Sequence, residues 1–221
     1  MVTKRTFLSI LLILAMLVGT SICGAQTVTT TDPLHDEDLA GVRFKSFANT
    51  GSREIYAGVP DLGVGTRRSE TDITWVAGDN NVSFSYDQAA DKLIAQVTNP
   101  AGSWTLEYPN LSTQVASLTS GTYDLEDLNI MQIDVVNRDN QTASLTDVYL
   151  DGISLGDFGV GMTGWNTWWV TDYCFGRGFE IVGTLQLAGT FSGDEVSKLE
   201  IKVGVKEADG LGCGANQPPA C

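Results

Sequence analysis

A single histidine, His35, occurs in 221 residues. One imidazole cannot build a His-rich metal site or a His-Glu-x-x-His zinc helix, and no nucleophile–base pair can be assembled around a lone His in an N-terminal segment. No Gly/Lys loop with phosphate-binding spacing is present. Cysteine is also scarce. Apart from Cys23, the chain holds Cys174, Cys213 and Cys221, and their spacing fits no common zinc pattern. Long apolar runs are missing everywhere except near the start, and helix-period patterning is nearly absent. Basic residues are few: 13 Lys and Arg stand against 27 Asp and Glu.

The one apolar run, Phe7 to Val18, follows Lys4 and Arg5 and precedes the small residues around Ala25. This is the pattern of a secretory signal peptide over residues 1–25, too short to span a membrane, with cleavage expected after Ala25. Lipidation of Cys23 is the alternative, although Ile22 stands where a small residue is wanted. Export implies a compartment where disulfides persist, and Cys213 and Cys221 are expected to staple a Gly/Pro-rich tail, residues 206–221. Removing the leader leaves 11 basic against 27 acidic residues, a net charge of −16. Such a chain is repelled by nucleic acid and by anionic membranes. The expected location is extracellular or at the cell envelope, with no membrane span in the mature chain. Extracellular polysaccharide or other surface proteins are the expected partners.

What the sequence does contain is alternation with a period of two. Phe179, Ile181, Leu185 and Leu187 share one parity, with Glu180, Thr184 and Gln186 on the other. After Ser192-Gly193-Asp194-Glu195, Leu199, Ile201, Val203 and Val205 alternate with Lys198, Glu200 and Lys202. This reads as a half-buried antiparallel strand pair joined by a turn. Val82 to Tyr86, Leu93 to Val97, Trp104 to Tyr108 and Ala143 to Leu150 repeat the pattern, and so does Ile73 to Trp75. Leu128 to Val136 is apolar on both parities and predicts a central strand covered on both faces. A short helix is expected near Ser112 to Leu118. The fold class is all-β: an antiparallel, jelly-roll-like β-sandwich with little helix. Residues 26–40 are expected as a flexible lead-in and 41–205 as one domain.

Two groups of side chains are candidates for a site. Trp165, Trp168, Trp169 and Tyr173 (with Phe175) are the aromatic group. Exposed on a sandwich face they would stack on sugar rings, whereas alternation sends about half into the core as bulk. Trp168 is the one expected to face solvent. Asp147, Asp151 and Asp157 are carboxylates that would gather around calcium, as would Asp124, Glu126 and Asp127, although neither set has a known loop spacing. Solvated turn acids are the simpler reading. Carboxylate pairs for polysaccharide hydrolysis abound in so acidic a chain, and none is singled out. No cofactor other than calcium is suggested, and no enzymatic activity is expected.

Four stretches also resemble a known family. They are Val82-Ser83-Phe84-Ser85-Tyr86-Asp87 with Lys92-Leu93-Ile94-Ala95; Leu145-Thr146-Asp147-Val148-Tyr149-Leu150-Asp151-Gly152; Trp165 to Val170; and Gly178-Phe179-Glu180-Ile181-Val182-Gly183-Thr184-Leu185 running into Ser197-Lys198-Leu199-Glu200-Ile201-Lys202-Val203-Gly204. Together they resemble the bacterial exported "choice-of-anchor" domain common in PEP-CTERM proteins. The resemblance implies a secreted β-sandwich held at the envelope or in the matrix by an interchangeable C-terminal signal, and it supplies no catalytic residues. After Val205 this chain has a Cys/Gly/Pro tail in place of a Pro-Glu-Pro signal, which implies free secretion or assembly through the tail cysteines.

Overall fold

The computed structural model describes residues 26–33, 35–45, 47, 54–137, 141–189 and 197–206. The expected leader and the Cys213–Cys221 staple lie outside these residues. Thirteen strands, one helix and three short 3-10 turns are described. The strands are β1 (Thr27–Thr29), β2 (Glu37–Lys45), β3 (Glu54–Gly58), β4 (Arg68–Asp72), β5 (Gly78–Asp87), β6 (Lys92–Asn99) and β7 (Gly102–Pro109). Helix α1 (Leu111–Leu118) follows. Then come β8 (Ile130–Asn137), β9 (Gln141–Leu150), β10 (Ile153–Phe158), β11 (Gly164–Thr171), β12 (Phe179–Gly189) and β13 (Lys198–Val205).

All pairings are antiparallel, in a seven-stranded sheet ordered β1-β11-β8-β13-β2-β3-β4 and a six-stranded sheet ordered β10-β9-β12-β5-β6-β7. Eight of these strands give the orders β2-β13-β8-β11 and β5-β12-β9-β10. The chain crosses between sheets at nearly every step, and only β9 and β10 form a hairpin within this set. That is the jelly roll, two Greek keys folded together. Hairpin β3–β4 widens one sheet and hairpin β6–β7 the other.

The core lies between the sheets. Phe44, Phe84, Leu93, Ile133, Phe175 and Ile201 are all buried there. Each large apolar side chain so buried contributes about 1.5–3 kcal/mol. Phe84, Phe179 and Phe175 meet edge to face, with centroids 5.3 Å and 5.5 Å apart, the arrangement that ring quadrupoles favour. Helix α1 begins one residue before its expected start and closes one end of the core through Leu111 and Val115.

Three expectations are corrected. First, β12 and β13 are not paired with each other. They lie in opposite sheets, β12 between β9 and β5 and β13 between β2 and β8. Alternation specifies which face of a strand is apolar and leaves its partner open. Second, Ile73 and Trp75 are buried but lie outside any strand. Side-chain amides tie down the backbone there: Val76 N–H donates to Asn80 Oδ1 (3.2 Å), Asn80 Nδ2 donates to Val76 O (2.9 Å), and Asn99 Nδ2 donates to Thr74 O (2.8 Å). Third, the segment expected as a flexible lead-in contributes β1, paired to β11, and the start of β2.

Candidate functional site

Strand alternation that buries Leu199, Ile201 and Val203 must place Lys198, Glu200 and Lys202 on the outer face of the seven-stranded sheet. Register then decides their neighbours. One row across the sheet runs Trp165, Val136, Lys198, Lys45, Glu54. The next runs Thr167, Asp134, Glu200, Arg43, Tyr56, and the third Trp169, Gln132, Lys202, Gly41, Gly58. The third row therefore ends in two facing glycines with no side chain. A Cβ at Gly41 would lie 2.9 Å from Ile201 O, and one at Gly58 would lie 2.1 Å from Arg67 O. A groove of about 260 Å³ opens at Gly41, lined also by Trp165, Pro60 and Leu62. Trp165, 60% exposed, presents its ring at the mouth.

The floor is ionic and held in place. Glu200 is almost fully buried, and its Oε1 accepts from Arg43 Nη2 (2.7 Å) and Nε (3.1 Å), while Oε2 accepts from Lys198 Nζ. Burial by itself would raise the Glu200 carboxyl pKa. The hydrogen bond and charge of Lys198, joined by Arg43, outweigh burial and hold it below the ordinary carboxylate value. Lys198 Nζ also sits 4.7 Å from the centre of the Trp165 ring, a cation–π contact. Lys202 Nζ lies 3.1 Å from Asp38 and 3.9 Å from Asp134. Burial would lower its pKa, and the surrounding carboxylates raise it instead.

Asp134 is the fixed point of Trp165. It is fully buried in the middle of β8. Its Oδ1 accepts from Thr167 Oγ1 (2.6 Å) and Trp165 Nε1 (3.2 Å), and its Oδ2 accepts from Gln132 Nε2 (2.8 Å). A buried carboxylate needs such partners. The indole is thereby tethered at its edge while much of its ring stays in solvent, as a rigid aromatic platform.

The other expected aromatics lie elsewhere. Trp168 points into the core opposite Ile133, its ring 5.2 Å from Phe158, and is 8% exposed. It sits on the opposite parity from Trp165, so the two cannot share a face. Trp169 is on the outer parity but buried, covered by the His35 ring at 4.5 Å. His35 is thus half-covered packing. Tyr173 is buried against Phe175 and donates from its hydroxyl to Asp151.

Asp147, Asp151 and Asp157 are not gathered. Asp157 accepts from the Asp147 amide (2.9 Å), while Asp151 accepts from the Glu180 amide (2.8 Å) and from Tyr173. Asp124 and Asp127 cap a 3-10 turn. Among the described residues no group of three His, Cys, Asp or Glu side chains is placed to hold a metal ion. Cys174 is buried and its thiol is not free. Gly152-Ile153-Ser154-Leu155-Gly156 does have the spacing of a hydrolase nucleophile elbow. It lies in a hairpin turn and edge strand, not between a strand and a helix, so the elbow context is missing.

The groove residues Asp38, Gly41, Arg43 and Lys202, and the Trp165 partner Asp134, carry no motif in the sequence that marks them as a site. The polar parity of β13 was a usable signal, but which strands flank it depends on long-range register.

The fold and groove define an all-β jelly roll with an aromatic and ionic furrow on one sheet face. No protein-family model matches the chain, and no curated protein matches it.

Proposed function

We propose that this chain is an exported, non-enzymatic β-sandwich of the cell surface or extracellular matrix, and that it attaches to glycan through the Trp165 groove. One observation carries the reading: a tethered, 60%-exposed indole stands beside a groove whose floor holds Arg43, Glu200 and Lys202. A sugar ring offers an apolar C–H face to an aromatic platform and hydroxyls to fixed polar groups, so the combination suits it. The aromatic group read from the sequence narrows, in this reading, to Trp165. Glu200 held ionised by Lys198 and Arg43 suits a binding framework better than proton donation. The expected leader and the resemblance to choice-of-anchor domains support placement outside the cell, and among the described residues no helix is long and apolar enough to cross a membrane.

A glycan array probed with the wild-type chain and with Trp165→Ala tests this. Binding to a defined set of glycans, lost in the variant, is expected. No glycan bound, or equal binding by both proteins, would remove the groove as an attachment site.

A further inference from the structure

We infer that the opposite face, the outer surface of the six-stranded sheet around Tyr149, is a second binding site and takes a neutral polysaccharide chain. It uses a different sheet and different residues from the Trp165 groove, so it stands whether or not that groove binds glycan.

The face is hollowed by an irregularity in pairing. Register slips between β9 and β12 at Val182 and Thr184, and Asp147 takes a left-handed conformation with φ 51°. A bulge of this kind bends the strand and re-aims its side chains. Here it leaves a hollow of about 390 Å³. Tyr149, 38% exposed, stands at one side. From it a row crosses the sheet through Val182, Ser83 and Gln96. Three strand spacings span about 14 Å, room for two or three sugar rings.

The chemistry of the lining selects the ligand. The side chains of Tyr149, Ser83 and Gln96 make no hydrogen bond to another described residue, so their donors and acceptors are available on a dented, solvent-facing surface. Thr184 adds a hydroxyl. Asp147 and Glu180 supply carboxylates, and among the described residues no Lys or Arg lines the hollow. Carboxylates accept from sugar hydroxyls, while an anionic polymer would meet two like charges with no compensating cation. The chain's formal net charge of −14 acts in the same direction. The Tyr149 ring provides a stacking surface, and the row of hydroxyl and amide groups provides the polar contacts that fix orientation.

Affinity electrophoresis of the full chain in gels containing dextran, hydroxyethyl cellulose or galactomannan tests the site, with alginate and polygalacturonate as anionic comparators. Retardation by at least one neutral polymer is expected. Tyr149→Ala is expected to weaken it about tenfold or more, the loss of one good contact, in the wild-type chain and in a Trp165→Ala background alike. If Tyr149→Ala fails to fold by circular dichroism, the outer-face pair Ser83→Ala and Gln96→Ala carries the same expectation. No retardation by any neutral polymer would overturn the inference. So would retardation that Trp165→Ala abolishes and Tyr149→Ala spares, or retardation by the anionic polymers alone.

Discussion

Replacing Glu200 by Gln removes the carboxylate that Arg43 and Lys198 share beneath the groove. Both cations keep partial access to water, so the expected cost is about 1–3 kcal/mol, below that of stranding a fully buried charge. The pH dependence has a definite sign. The folded pKa of Glu200 lies below its ordinary value of 4.5, so its contribution is fully present above pH 4.5 and is lost as pH falls through the folded value. Urea titrations at pH 7 and pH 3 should therefore show a stability gap between wild type and Glu200→Gln that narrows in acid; a gap that holds or widens would contradict the pairing. Asp151 has the opposite sign. Burial pushes its carboxyl up despite the Glu180 amide, so its ionisation costs stability as pH rises through the folded value. Gly58→Ala is a steric test at the same scale. Its Cβ would meet Arg67 O at 2.1 Å and Arg68 Cα at 2.8 Å, both backbone atoms that cannot swing aside. A loss of about 2 kcal/mol or more is expected in the same titration, and an unchanged midpoint would show that hairpin β3–β4 has room to spare.

At the scale of the element, the sheet edges are managed. Edge strand β4 carries Arg68, Glu70 and Asp72, with Arg68 paired to Glu70 at 2.6 Å. Edge strand β7 carries Glu107 and ends at Pro109, β10 pairs irregularly, and β1 is three residues long. Charge, proline, bulges and brevity each discourage edge-to-edge pairing. Substituting Val at both Arg68 and Glu70 is expected to promote self-association, visible as larger species in light scattering; a strictly monodisperse variant would argue that charge on β4 is incidental. How the strands could be read from the sequence follows the same physics. Alternation in β5, β6, β9, β12 and β13 was plain because one face of each is packed on the core. The partner of β13 was not, because pairing across the jelly roll joins segments more than 150 residues apart, as Arg43 and Glu200 are. β4, with no apolar parity, left no periodic mark. Trp75 left a misleading one, since an extended segment pinned by Asn80 and Asn99 alternates in burial without belonging to a sheet. For the groove, the exposed aromatic lies inside the Trp165–Tyr173 cluster, but it is Trp165 and not Trp168, which alternation turns into the core. Asp134 sits in a stretch that reads as apolar on both parities, yet its partners Thr167 and Gln132 hold it in place to anchor Trp165.

At the scale of the molecule, acidic residues outnumber basic ones about two to one, and the formal net charge is −14. Self-repulsion of this size opposes compaction and is screened by salt, with a Debye length that falls from about 30 Å at 0.01 M to about 3 Å at 1 M. Raising sodium chloride across that range is expected to raise the melting temperature. A fall would mean that the ion pairs of the seven-stranded face outweigh the global repulsion. Two glycan-binding faces on opposite sheets would make one domain a cross-link between polymer chains, a role suited to a matrix. The account rests most on the indole at the groove mouth, and isothermal titration of a glycan selected on the array tests it most directly. Saturable heat with the wild-type chain and at least about tenfold weaker binding by Trp165→Ala is the expected result. Equal affinity in the two proteins would contradict it.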